Sequence, residues 1–559
     1  MTQTISRGQT TAALSYQPLD LTPEQRKLVL IGTLLGLLVS ATNQTVVTTA
    51  LPRIVGDLGG LHLFSWVFTS FMLTSTTVVP LAGKLSDLFG RKPFFLGGIV
   101  ILMLSSAAGS TSQTIEQLIV WRAVQGVGAG MLMGNAFAII GDLFPPAERG
   151  KYQGLFTGIF GISSVLGPLV GGSLTDALSW RAVFYVNIPF GVLSFAVLWR
   201  SYPGRRPGGA PRPVDYTGAA LLIGSVVPLL LALSWAGDEY AWTSTLVLAL
   251  LAASGASLVA FLLNEARARE PIIPLSLFNN RFFTLAALLS FISGAGLFGA
   301  VNYMPMFVQG VIGTSAASSG FVTSPMMLGM VVASTLSGIA ATRLGRYRAF
   351  IIAGSALIVV GMIMLTRLDA GSKEVQAVAA MIVMGVGIGL SMPIVNLVLQ
   401  NSVSHQLLGV VSSSAQFFRQ IGGTLGTAVL GTLLTTHLQD NLRRELGQDI
   451  IERTPPDLLQ TLEEPQTLLN PSALDRLEAG FASLGPAGAD LFERSVQAMR
   501  IALADALGIV FLVGVFVTGI GLAISLFVPE PTGGLRRSWS QEPDQGAPQA
   551  SRLEQETLG

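Results

Sequence analysis

Gly83-Lys-Leu-Ser-Asp-Leu-Phe-Gly-Arg-Lys92 lies in the short gap between two apolar runs. Lys84, Asp87, Arg91 and Lys92 crowd into it, although the chain as a whole is 50% hydrophobic and only 12% charged. Charge concentrated in so brief an interruption faces water between two membrane spans. The flanking sequence extends that reading: mean hydropathy is +0.60 over 559 residues. Apolar runs of about 20 residues, enough to cross a bilayer as a helix, recur throughout. Strand-like alternation of period two is absent, so the expected fold is an all-α integral membrane protein.

The same composition excludes several function classes. A net charge of +1 lacks the basic footprint of a nucleic-acid binder. The chain has no cysteine, and His62, His405 and His437 are scattered without ligand-like spacing, so neither a metal nor a cofactor is expected. A nucleotide-binding Gly-x-x-x-x-Gly-Lys-Ser/Thr loop is missing, because Gly83-Lys84 leads to Leu85 and Gly150-Lys151 to Tyr152. Gly126, Gly128 and Gly130 lie inside a span, without the strand-to-helix context of a dinucleotide site. No enzyme activity is expected. The first 27 residues are polar and lack a basic, apolar, small-residue progression, so the first apolar run is expected to remain as a span.

Fourteen spans are predicted, near 28–51, 65–84, 93–111, 115–141, 153–175, 181–200, 215–236, 244–264, 283–309, 319–341, 349–366, 375–398, 410–435 and 501–528. Short loops on one side hold Arg26, Lys27, Lys84, Arg91, Lys92, Arg149, Lys151, Arg205, Arg206, Arg212, Arg267, Arg269, Arg343, Arg346 and Arg348. The opposite short loops hold only Arg53, Arg181, Arg367 and Lys373. The positive-inside rule then makes the first side cytoplasmic, with both termini there and the chain multi-pass in the cell membrane.

Gly83, Gly90 and Arg91 recur at the same spacing as Gly338, Gly345 and Arg346. Duplication predicts a cytoplasmic segment 1–27, a six-helix bundle 28–200, a region 201–282 with two extra spans, and a second six-helix bundle 283–528. The outer loop 436–500 lies within that second bundle. It carries Pro455, Pro456, Pro465, Pro471 and Pro486 and reads equally as short helices over an entrance or as a flexible connection. The tail 529–559, rich in Pro, Gln, Glu and Ser, reads as disordered and cytoplasmic.

Several residues stand out against this frame. Arg122 sits inside the fourth span, where an arginine costs at least ~2.5–3.5 kcal/mol on insertion scales. It either faces the bundle interior or snorkels from near the outer end. Arg419, in Gln416-Phe-Phe-Arg-Gln-Ile-Gly-Gly423, poses the same choice, with Gln416, Arg419 and Gly423 on one face. In the fifth span Gly158, Gly161, Gly167, Gly171 and Gly172 surround Pro168, a pattern suited to a hinge or to close helix packing. Asp87 and Arg91, one turn apart, could pair, the plain reading being a solvated ion pair worth under ~1 kcal/mol. Candidate substrate contacts are Phe298, Asn302 and Met306, with Tyr303 and Phe307 beside them, Met392, Asn396 and Gln400, and Gln416 with Arg419. Rings and thioethers with a few amides suit bulky apolar or cationic molecules.

Trp121-Arg-Ala-Val-Gln-Gly126 and Gly158-Ile-Phe-Gly-Ile-Ser-Ser-Val-Leu-Gly-Pro-Leu-Val-Gly-Gly172, with Gly83, Asp87, Gly90 and Arg91, carry a resemblance over nearly the whole chain. It resembles the fourteen-span drug:proton antiporters of the major facilitator superfamily, the EmrB/QacA-like group. The resemblance implies two six-helix bundles plus two extra central helices, and a monomer. It implies export of hydrophobic or cationic compounds by alternating access, as a proton antiporter. Arg122 would then serve proton coupling, Asp87 and Arg91 would latch cytoplasmic helix ends, and the fifth-span glycines would form the antiporter motif. Two departures are visible: Leu88 stands where the family often has a basic residue, and Asn43, in Ala41-Thr-Asn-Gln-Thr45, stands where it usually has an aspartate. Asn43 and Gln44 join the expected substrate contacts. The alternatives are an exporter of one endogenous lipid or metabolite, and a transport-inactive receptor or scaffold.

Overall fold

The computed structural model describes residues 19, 21–59, 63–204, 213–237, 239–314, 316–463, 468, 471–483 and 488–530. Most of the segment 1–27, the tail from 531, residues 205–212, His62, Asp238, Pro465 and Pro486 lie outside the described residues. The first half comprises α1 (Pro23–Leu58), α2 (Phe64–Phe89), α3 (Arg91–Ser110), α4 (Ile115–Leu143), α5 (Pro146–Ala177), α6 (Ala182–Tyr185) and α7 (Asn187–Ser201). An extra pair follows, α8 (Tyr216–Trp235) and α9 (Thr245–Glu265). The second half comprises α10 (Arg281–Met306), α11 (Ala316–Leu344), α12 (Tyr347–Leu365), α13 (Glu374–Asn401), α14 (Leu408–Arg453), α15 (Pro456–Glu463), α16 (Pro471–Ala482) and α17 (Gly488–Ser525). Among the described residues the β contact is an isolated bridge between Ala236 and Tyr240.

Local chemistry explains the boundaries. α1 begins earlier than hydropathy suggests because Thr22 and Gln25 cap reciprocally. The Gln25 N–H donates to Thr22 Oγ1 (3.2 Å), the Thr22 N–H to Gln25 Oε1 (3.1 Å), and Pro23 opens the helix. Gly90, at φ 95°, ends α2 and lets Arg91 start α3 at once. Gly345, at φ 69°, follows α11 in the same way, its N–H reaching the Ala341 carbonyl. The repeated Gly-Arg step is thus a left-handed backbone turn that side-chain-bearing residues rarely adopt.

Thirteen described helices, or helix pairs such as α6 with α7, are long and apolar enough to cross a membrane. The span expected over 410–435 falls in α14, which is long enough but carries Ser412, Ser413, Ser414, Gln416, Gln420 and Thr424. These residues face protein, most of them buried, so their positions need none of the hydropathy that lipid contact demands.

Packing follows a doubled plan. α1 packs on α5 and α7, α2 on α4, and α3 on α4 and α7. α10 likewise packs on α14 and α17, α11 on α13, and α12 on α13 and α17. The two groups meet where α2 crosses α14 and where α5 crosses α11. A Cβ at Gly83 would strike Ser413 and the Gly409 carbonyl of α14, and one at Gly338 would fall on the Gly150 carbonyl of α5. The echoed glycines therefore lie at the two crossings between groups. The extra pair lies outside, with α8 against α2 and α14.

The 436–500 segment is helical over much of its described length. α14 runs on past the bundle, and Leu438, Leu442, Leu446 and Ile450 form a stripe buried with Leu462 of α15, Leu477 and Phe481 of α16, and Leu491 of α17. This stripe continues the core of the second group.

The α5–α11 crossing generates a prediction. In the cysteine-free chain, Ser334→Cys places a thiol at a fully buried position of α11. Adding Gly338→Leu should force the crossing apart and raise labelling by a membrane-impermeant maleimide several-fold. Unchanged labelling would show that the crossing tolerates the added volume.

Candidate functional site

At the end of the molecule that carries Gly83–Lys92, the Asp87 side chain makes three connections. It accepts the Gly409 N–H (3.1 Å) and the Val410 N–H (2.9 Å) at the start of α14, and it pairs with Arg91 Nη2 (3.1 Å). A carboxylate is the natural partner for the free N–H groups and positive dipole end of a helix N-terminus. Arg91 Nε in turn holds Asp142 Oδ2 of α4 at 2.7 Å, and the Tyr202 hydroxyl donates to the same oxygen (3.4 Å). Burial, reinforced by the charge of Asp142, pushes the Tyr202 phenol well above its usual range, so it stays protonated and remains a donor. The surface ion-pair reading fails here, since the Asp87 and Arg91 side chains are 6% and 7% exposed. Leu88 leaves the latch intact, because Asp87 works through backbone N–H groups.

Beside the α5–α11 crossing, α5 is tied to the end of α13. Arg149 of α5 donates to the carbonyls of Phe144 (3.0 Å) and Gly141 (2.8 Å) and to Asn401 Oδ1 (3.2 Å). Gln153 Nε2 donates to Gln400 Oε1 (3.1 Å), while Gln400 Nε2 donates to the Phe137 carbonyl and Ser412 Oγ, both at 3.0 Å. Lys84 pairs with Glu270 (2.9 Å), tying α2 to the chain that follows α9. Sequence reading registered Arg149 and Lys84 only as loop charges and placed Gln400 on a substrate face. Their partners Glu270, Asn401 and Gln153 lie more than 180 residues away, beyond any local pattern.

Arg122 faces inward and is 1% exposed, which removes the snorkelling alternative. Its Nη1 donates to Asn43 Oδ1 (2.6 Å) and Gln125 Oε1 (2.8 Å), its Nε donates to the Val67 carbonyl (3.1 Å), and the guanidinium stands 4.4 Å from the Phe71 ring centre. Ser106 Oγ closes the ring by accepting from Asn43 Nδ2 (3.3 Å) and Gln125 Nε2 (3.1 Å). Neutral oxygens and one aromatic face solvate this cation, and no carboxylate pairs with it among the described residues.

Two cavities open between the helix groups. One, of about 510 Å³, is lined by Gln44, Phe68, Met72, Phe137, Phe160, Phe298, Asn302, Met392, Gln416 and Arg419 among others. The other, of about 900 Å³, shares Phe68, Met72, Phe298 and Asn302 with it and adds Tyr303, Met306 and the far part of α14 to Gln439. Both draw on the half of α2 away from Gly90, so the space lies beyond the Asp87 closure. The structure thus gathers most of the expected substrate contacts. Asn302 Nδ2 donates to Thr427 Oγ1 (3.1 Å) and the Tyr303 hydroxyl to the Thr427 carbonyl (2.8 Å).

Two expected placements are corrected. Asn43 lies behind the wall, 1% exposed and bound to Arg122, and lines neither cavity. Asn396 and Gln400 line neither cavity, and Gln400 belongs to the α5–α13 junction. Among the described lining residues neither cavity contains Asp or Glu, and the one charge is Arg419. Aromatic residues were visible in sequence, but which charges share a cavity with them depends on long-range packing.

The fifth-span glycines are packing sites in this conformation. Gly158 and Gly161 face Val331 and Met327 of α11, while Cβ atoms at Gly167 and Gly171 would meet Thr45, Thr49 and Val46 of α1. Gly172 faces open space, and the Pro168 side chain lies outside the described residues.

Comparison with known proteins agrees with this architecture. The family model of the Major Facilitator Superfamily matches residues 33–427. The chain is 38% identical to the multidrug transporter protein MdtP of Bacillus subtilis, over 90% of this chain and 93% of that protein. It is also 38% identical to multidrug resistance protein 3 of the same organism, over 74% and 81% respectively. Among solved structures, the human organic anion transporter MFSD10 (TETRAN) superimposes with a TM-score of 0.53 at 16% identity, covering 89% of this chain and 100% of that one, a likeness of fold alone. With helices paired in this doubled plan and a cavity between the groups, the chain belongs to the Major Facilitator Superfamily and is a membrane transporter, not an enzyme.

Proposed function

We propose that this transporter is a multidrug exporter that moves hydrophobic small molecules out of the cell by alternating access, as a monomeric proton antiporter in the cell membrane. In this reading both termini lie in the cytoplasm. The observation that carries it is a cavity closed at the basic-loop end by Asp87 on α14 and by the α5–α11 crossing, and extending toward the opposite ends of the helices. The names of the relatives and the matched helix pairings support it. Export requires these two crossings to separate while others close, with the glycines of α5 as the surface on which helices slide or bend. Gly83 and Gly90 fix the latch geometry, so they belong with Asp87 and Arg91 to the gating machinery. Asn43 and Arg122 form a rigid neutral-lined anchor between α1, α2 and α4. Because Asn43 cannot ionise, proton traffic passes through the other buried carboxylates of the bundle. Asp87 and Asp142 suit the task, since a proton on either weakens its hold on Arg91 and loosens the closed end.

Three measurements test this. In inside-out proteoliposomes with an acidic lumen, cationic, neutral and anionic fluorescent dyes should be compared. At least one should accumulate, and collapse of the pH gradient should abolish the accumulation; accumulation indifferent to that collapse would remove proton antiport. Asp87→Ala should lower stability by about 3 kcal/mol, because it strips a buried ion pair and two helix N–H groups of their partner. It should also shift reporter distances toward opening of the basic-loop end, and unchanged distances would refute the latch. Asn43→Asp is nearly isosteric and supplies Arg122 with a counter-charge, so the melting midpoint should rise, by ~2 kcal/mol in stability terms. A fall would mean that the neutral ring is already the better partner.

A further inference from the structure

Among the described lining residues Arg419 is the single charge of the smaller cavity, and the larger cavity has none. Its Nη1 lies 3.3 Å from Met392 Sδ, a weak acceptor, and no carboxylate pairs with it among the described residues. Arg122 is the useful contrast: it too lacks an acid, yet two side-chain amide oxygens and a backbone carbonyl accept from it within 3.1 Å. A guanidinium carries five N–H donors in a planar fork. The protein supplies three close oxygen acceptors to the one guanidinium and leaves the other, half-buried, facing the cavity.

That presentation is held rigidly. A Cβ at Gly294 would fall on the Arg419 carbonyl, and one at Gly422 would fall on the Phe291 carbonyl. α10 and α14 therefore touch along their backbones at the turn that carries Arg419, and the guanidinium projects from a wall that cannot retreat. Phe137, Phe160 and Phe298 supply an apolar surround, with Gln416 and Gln420 beside the charge. A lipophilic cation entering here meets a like charge and no acid. An anion entering here gains a bidentate, charge-assisted contact that the protein itself does not provide.

We propose that the smaller cavity is a binding site for amphipathic monoanions, an aromatic or aliphatic body bearing one carboxylate that pairs with Arg419. This rests on the export reading and names the substrate class that the reading leaves open. Arg419 is then a specificity-determining residue. The rings accept the body of many molecules, and the guanidinium selects among them by charge.

The test compares three probes of one shape, 1-pyrenebutyrate, its methyl ester and 4-(1-pyrenyl)butyl-trimethylammonium. Their binding to the purified full chain in nanodiscs is followed by intrinsic fluorescence quenching. The carboxylate should bind about tenfold or more tightly than the ester, the scale of one charge-assisted contact. Arg419→Gln should erase that preference while leaving ester binding within about twofold, and Arg419→Lys should restore part of it, as expected for a point charge without the fork. A merely structural role for Arg419 would weaken all three probes together, and that result would overturn the proposal. So would equal binding of the three probes, or a carboxylate preference that survives Arg419→Gln. Binding of the ester and the ammonium without preference for the carboxylate would remove this inference and leave the export reading standing. Absence of binding by all three to folded protein would remove both.

Discussion

The carboxylate of Asp87 takes two backbone N–H groups at the start of α14 and holds Arg91, which in turn holds Asp142. In low dielectric these contacts are strong only while complete, since any member left alone is a desolvated charge. The latch therefore behaves as a unit. It requires Gly83 and Gly409, because a side chain at either would collide with α14 or with Asp87 itself. It requires Gly90 as well, whose left-handed turn brings Arg91 back beneath α2. The crossing of α5 with α11 follows the same geometry with different chemistry. Gly150 and Gly338 touch through backbone, and in place of a carboxylate the hydrogen bonds of Arg149 and Gln153 tie α5 to the end of the neighbouring α13. The position equivalent to Asp87 is Thr342, which hydrogen-bonds only within its own helix. Duplicated shape has thus been kept while ionic bonding is concentrated in one copy.

The all-helical membrane fold was legible because lipid imposes a one-dimensional code, in which length and hydropathy mark each span. The code weakened where lipid contact ends. α14 reads as polar because it is enclosed by protein, and its extension past the bundle emerges only from the burial of Leu438, Leu442, Leu446 and Ile450. Helix ends set by caps, such as Thr22 with Gln25, extended α1 beyond its apolar run. At the site, residue types were informative and partnerships were not. Phe298, Asn302 and Tyr303 in one helix and Met392 in another are marked by the chemistry of their helix faces. The removal of Asn43 from the cavity depends on Arg122, 79 residues away, and the role of Gln400 depends on Gln153, 247 residues away. Periodicity reports which face a residue occupies, never what waits opposite.

The two arginines show how one side chain serves two purposes. Arg122 ties α4 to α1 and α2 through acceptors that are all neutral, so it stiffens a junction without needing an ionisable partner. Arg419 sits on a backbone equally confined, yet its polar end is offered to a cavity. Both carry a charge with no acid beside it, but Arg122 is 1% exposed and Arg419 is only half-buried at the cavity wall. What distinguishes an anchor from a recognition group is the number of acceptors that the protein commits to it.

α14 joins all these parts. Its first turn is held by Asp87, its middle carries Gln416 and Arg419, and its last turns are buried among α15, α16 and α17. At 46 residues it is about 70 Å long, so moving as a rod, a tilt of about 10° at the latched end would sweep the distal end through roughly 12 Å. In that motion the helix is a lever pivoted at its contact with Asp87. Small displacements at one face of the membrane are amplified at the other, and load applied to the distal helical cap is returned, with mechanical advantage, to the carboxylate of Asp87.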